Sequence, residues 1–107
     1  MQKLVLAFCL SLLYIIPAGA QTMFASEYWE DTWVATGARF HPDAHTAAHK
    51  TLPFGTKLRV TYRGKSVVVT INDRGPFVKG RELDLSRGSA KAIGFPGLGR
   101  VEVAMVD

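Results

Sequence analysis

Cysteine is nearly absent from this 107-residue sequence: the single one, Cys9, sits within the first twenty positions. The remainder can form no disulfide, and both thiol catalysis and cysteine-ligated metal sites are excluded. Long apolar runs are scarce as well. The longest, Leu4 to Ile16, is interrupted only by Ser11 and covers 13 residues. A helix needs about 20 to cross a bilayer. Strong charge of one sign is also missing. Thirteen Lys and Arg against nine Asp and Glu leave a formal net charge of +4. That weak excess lacks the clustered basic density of a nucleic-acid binder and suits an anionic envelope partner better. Internal repeats, low-complexity tracts and linkers are absent too.

The first twenty residues read as an export signal. Lys3 provides a basic start, the apolar run follows, and Ala18 and Ala20 place small residues at the −3 and −1 positions before Gln21. Cleavage after Ala20 is expected, with delivery to the periplasm or cell envelope. Phe8 precedes Cys9 where a lipid-attachment signal wants a small residue, so no stable membrane anchor is expected. Residues 21–107 then number 87, with a net charge of +3 once Lys3 is lost. That is enough for one domain with one modest core and too few for two. A monomer is expected.

The strongest apolar run after the signal is Val67-Val68-Val69-Thr70-Ile71, and Asn72-Asp73-Arg74-Gly75-Pro76-Phe77 stops it abruptly. Gly75 permits positive φ and Pro76 fixes φ while removing a ladder donor, so Asp73 and Arg74 are held on a rigid corner at a strand end. Two readings stay open there: a turn with a solvated ion pair, or a positioned catalytic carboxylate. Before that run, Lys57 to Tyr62 alternates with Leu58, Val60 and Tyr62 on one face, and Arg63-Gly64 joins the two as a β-hairpin. The continuous valines predict burial on both faces. Met23 to Ser26 predicts a short first strand, Gly80 to Leu85 another with Leu83 and Leu85 inward, and Arg100 to Met105 a last one after a flexible Gly97-Leu98-Gly99 connector. Ser86 to Ile93 predicts a helix capped by Ser86 and ended by Gly94 and Pro96. Short strands, a helix and many turns point to a small closed β-barrel, which leaves no exposed edges.

Tyr28, Trp29 and Trp33 lie among Glu27, Glu30 and Asp31, either as a sugar-stacking surface or as an aromatic flap over the barrel end. His41, His45 and His49 stand four apart, and on a helix His45 and His49 would share a face. Without a carboxylate at metalloprotease spacing, and with Pro42 and Pro53 limiting any helix, no metal site is expected. A single histidine as a hydrogen-bonding site residue fits better. No cofactor is called for.

Two blocks, Thr46-Ala47-Ala48-His49-Lys50-Thr51-Leu52-Pro53-Phe54-Gly55-Thr56 and Asn72 to Phe77, together resemble the rare lipoprotein A family of bacterial envelope proteins. Arg81-Glu82-Leu83-Asp84-Leu85-Ser86 matches a third block, and Ala25, Ser26 and Tyr28 match the opening. The resemblance runs from Ala25 to Val106. It implies a mainly β fold, a six-stranded double-psi β-barrel related to the expansin barrel, with one or two short helices. It also implies an endolytic lytic transglycosylase, a lyase that cleaves between N-acetylmuramic acid and N-acetylglucosamine of peptidoglycan glycan strands and leaves 1,6-anhydro ends. On that basis Asp73 would be the acid/base, with His49 beside it, and Arg74, Tyr28, Trp29 and Asp84 would contact the glycan. One position departs from the pattern. Where the family carries a glutamate after a Thr-Ala-Asn-Gly run, this chain has Val34-Ala35-Thr36-Gly37 and then Ala38. The departure favours an alternative, an expansin-like barrel that binds glycan without cleaving it.

Overall fold

The computed structural model describes residues 20–29 and 33–106. The expected export signal up to Gly19, with Cys9, and the acidic residues Glu30 and Asp31 lie outside them. Among the described residues there are six strands, β1 (Gln21–Tyr28), β2 (Thr46–His49), β3 (Lys57–Tyr62), β4 (Lys65–Asp73), β5 (Leu83–Ser86) and β6 (Leu98–Val106), and one helix, α1 (Arg87–Ala92), between β5 and β6. The strands close into a barrel in the order β1-β5-β2-β4-β3-β6. β1–β5 and β2–β4 are parallel and the other four pairs antiparallel. Closure leaves every strand with two hydrogen-bonded neighbours, so this small sheet has no open edge.

Alternation builds the interior. Leu58 and Val60 of β3 pair in register with Val69 and Val67 of β4, and Val60 also faces Val103 of β6. With Ile71, Leu83, Leu85 and Val101 these side chains are buried. Each such aliphatic side chain stabilises the fold by roughly 1.5–3 kcal/mol relative to exposure. Burial of the valine run on both faces is not observed: Val68 is 38 % exposed while Val67 and Val69 point inward. The run therefore keeps the two-residue period of a strand with one face inward and one partly open to solvent.

The predicted hairpin forms with Tyr62 opposite Lys65, a two-residue connection. Arg63 and Gly64 both take positive φ, 48° and 85°, as a primed turn requires. The predicted helix forms too. Ser86 caps it by accepting from the Ser89 amide, and Ile93 closes it. Other expectations need correction. β1 reaches from Gln21 to Tyr28 rather than four residues, β5 starts only at Leu83, and β6 starts at Leu98, so Leu98 and Gly99 of the supposed connector are strand paired with Ser26 and Ala25. His49 ends a strand, β2, which lies between β4 and β5, whose backbone groups claim it, so the helical face it could have shared with His45 does not form. Long-range ladders override the four-residue spacing of the histidines.

Candidate active site

Asp73 ends β4, in register with Ala48 of β2. Its Oδ1 accepts from the Ala35 amide at 2.8 Å and the Arg74 amide at 2.9 Å. The first of these tethers the excursion between Trp33 and Phe40, which Val34 and Phe40 anchor by burial. Among the described residues no hydrogen bond reaches Oδ2. The sharp corner is as expected, with a cis Gly75–Pro76 bond.

A cavity of about 350 Å³ opens at this corner. The acidic residues Asp73, Asp84 and Glu27 line it, together with Arg74 and Arg81. Tyr28 contributes a ring stacked on Phe40, centroids 4.9 Å apart at 19°. Phe77 stands at the rim, 81 % exposed. Asp84 reaches the wall because β5 pairs with β1 on one side and β2 on the other, and Ser26 of β1 donates its hydroxyl to Oδ1 at 2.9 Å.

The guanidinium of Arg74 does not pair with Asp73. Its Nη1 donates to the carbonyls of Leu52 at 2.8 Å and His49 at 3.2 Å, and the group lies 4.0 Å from the Phe54 ring centroid. The ion-pair reading of the corner therefore fails. Among the described residues the one salt bridge is Arg87–Asp43, at 3.1 Å. A guanidinium forked onto the carboxylate would favour its charged form and oppose acid catalysis.

Of the six residues singled out from the sequence, Asp73, Arg74, Tyr28 and Asp84 share this cavity. His49 and Trp29 do not line it. Trp29 and Trp33 are both exposed, and Trp33 carries the Arg39 guanidinium 5.2 Å from its ring centroid. His49 faces a separate cavity of about 110 Å³ with Met23, Leu58 and Val103. Its Nδ1 accepts from the amides of Thr51 and Leu52, each at 3.1 Å. Burial, then the positive charge of Arg74, lowers its pKa below the ordinary 6.5, with a smaller effect of Lys50 in the same direction and Glu82 opposing. Phe77 and Arg81 are among the lining residues that the sequence left without a role. For Phe77 a signal existed: a large apolar side chain directly after a Gly-Pro turn lies outside any strand period, so nothing forces it inward. Among the described residues no three His, Cys, Asp or Glu side chains gather as a metal ion would need.

The closed six-stranded order with its two parallel pairs is that of a double-psi β-barrel. Solved structures agree on the fold. The Streptomyces papain inhibitor superposes with a TM-score of 0.68 at 21 % identity, over 87 % of this chain and 100 % of its own. The expansin of Clavibacter michiganensis gives 0.66 at 22 %, over 82 % of this chain and 50 % of its own.

The chain belongs to the lytic transglycolase family, which matches residues 17–105. Its relatives include the probable endolytic peptidoglycan transglycosylases RlpA of Nostoc sp. and of Treponema pallidum. The first is 59 % identical over 64 % of this chain and 20 % of the relative, the second 41 % over 87 % and 30 %. The chain thus spans between a fifth and a third of the length of these relatives.

Proposed function

We propose that this barrel is the catalytic unit of an exported peptidoglycan lytic transglycosylase acting at the cell envelope, with Asp73 as its acid and base. The observation that carries the reading is the Asp73 carboxyl group. Two backbone amides orient it at the wall of an open cleft, and Arg74 is turned away from it. The names of the relatives support the substrate class.

The chemistry needs one carboxyl group, whereas most glycosidases use a pair. Protonated Asp73 gives its proton to the oxygen linking N-acetylmuramic acid to N-acetylglucosamine. The C1–O bond breaks and its electron pair leaves with that oxygen, which becomes the free hydroxyl of the departing strand. The muramic acid's own 6-hydroxyl oxygen bonds to C1, and its proton passes to the Asp73 carboxylate. The acid is regenerated and no water is consumed. Phe77 and Tyr28 offer apolar ring faces to the sugars, and Arg81 and Asp84 offer polar contacts.

A second reading, binding without cleavage, is favoured by Ala38. Its turn lies against the site, since Ala35 in the same turn donates to Asp73. An expansin with this fold has been solved with cellohexaose. Incubation with peptidoglycan stripped of stem peptides separates the two. New 1,6-anhydromuramic ends that disappear in Asp73→Asn support the enzyme. Retention on the strands with no new ends supports the binder.

A further inference from the structure

We propose that His49 is a positioning residue: its imidazole ties the Thr51–Phe54 segment into a cradle that fixes Arg74 and, through Arg74, the corner bearing Asp73. The inference deepens the transglycosylase reading and rests on it for one of its two readouts.

The contacts form an unbroken series. His49 Nδ1 accepts from the Thr51 and Leu52 amides, so it must be unprotonated and the ring proton sits on Nε2. The same turn presents the His49 and Leu52 carbonyls to Arg74 Nη1, while Phe54 supports the flat face of the guanidinium. The main-chain amide of Arg74 in turn holds Asp73 Oδ1. His49 therefore reaches the carboxyl group through the loop and the arginine. A direct proton transfer does not fit, because Ala48 lines the Asp73 cavity and its strand neighbour His49 lines the other one. Successive side chains of a strand point to opposite faces.

The imidazole is doing what an asparagine does in an Asx turn, where a side-chain oxygen accepts from amides two and three residues on. That equivalence supplies the test. His49→Asn places an oxygen near the position of Nδ1, His49→Gln places it one bond further out, and His49→Ala removes it. The expected kcat of His49→Asn lies within about threefold of wild type. The Gln and Ala variants lose about ten- to a hundredfold in kcat with KM little changed, the scale of a roughly 1 Å misplacement of a catalytic group. The pH profile gives a further sign. Protonation of Nδ1 abolishes both bonds, and the charged groups facing the ring are Arg74, Lys50 and Glu82. Wild type should lose activity on acidification below the ordinary histidine range, and His49→Asn should lose that part of the fall.

The second readout needs no activity. Hydrogen exchange at the Thr51 and Leu52 amides should be slow in wild type and His49→Asn, and fast in His49→Ala and His49→Gln. Asn and Gln variants that are equally inactive, with both amides still protected, would overturn the proposal and give the imidazole a part in the chemistry. If wild type forms no anhydro ends, the transglycosylase reading fails. The exchange result then decides alone, and unchanged protection in His49→Ala overturns the proposal.

Discussion

Ser86 joins the helix to β5, the strand that carries Asp84, and its replacement by alanine has a calculable effect. The residue is 0 % exposed. Its hydroxyl donates to the Ala44 carbonyl at 2.6 Å, accepts from the Ser89 amide at 3.2 Å and lies 2.8 Å from the Ser89 hydroxyl. The Thr46 amide approaches it at 3.3 Å. Loss of the cap costs about 1 kcal/mol. Loss of the short Ala44 bond, in a place closed to water, costs about 1–2 kcal/mol more. Thr46 and Ala44 keep their mutual backbone bond at 3.1 Å, so neither is wholly orphaned and the sum stays near 2–3 kcal/mol. For a domain of this size that is a fall in Tm of about 10–20 °C. Urea unfolding should show a lower midpoint at unchanged slope. Ser86→Asp sharpens the test. Aspartate caps exposed helices as well as serine does. Here it would bury a charge, so it should be less stable than the alanine variant. A loss below about 0.5 kcal/mol for Ser86→Ala would refute the reasoning, since a working cap alone contributes more.

Gly88→Ala should destabilise by about 1–3 kcal/mol, although helix propensity favours alanine. A Cβ there would meet the Asp43 carbonyl oxygen inside van der Waals contact, and the Gly88 amide bond to Pro42 at 2.7 Å would be displaced; thermal melts read the result. Ala38→Glu, which restores the family's residue in the turn that holds Asp73, should raise the rate of anhydro-end formation at least about tenfold. An unchanged rate would show that the barrel has no use for a second acid. The depressed pKa of His49 makes stability depend on pH. The unfolded chain takes up a proton near the ordinary 6.5 and the folded one only below it. Stability is therefore fully present above that value and falls as pH drops through the window beneath it. Urea titrations between neutrality and pH 5 should show the decline in wild type and a smaller one in His49→Asn.

Local chemistry made much of the fold legible. The Arg63-Gly64 hairpin, the Ser86 cap and the inward Leu83 and Leu85 each follow from residues within one turn or one strand. What escaped depends on partners distant in sequence. The strand at Thr46–His49 was not legible locally because β4 and β5, which claim it, lie more than fifteen residues away. The valine run looked doubly buried because nothing local says that the outside of β4 stays wet. The site divided in the same way. Asp73, Arg74, Tyr28 and Asp84 meet at one cavity, while His49 is one residue from the wall on the wrong face of β2. Register alone decides which of two adjacent side chains enters a cleft.

In the proposed mechanism one carboxyl group at the β4 corner suffices, because the substrate's own hydroxyl replaces water. Digestion of stripped glycan strands in ¹⁸O-water, followed by mass spectrometry of the new ends, tests it directly. Wild type should give 1,6-anhydro ends free of ¹⁸O, and Asp73→Asn no new ends. Reducing ends carrying ¹⁸O, or undiminished cleavage by Asp73→Asn, would contradict the mechanism.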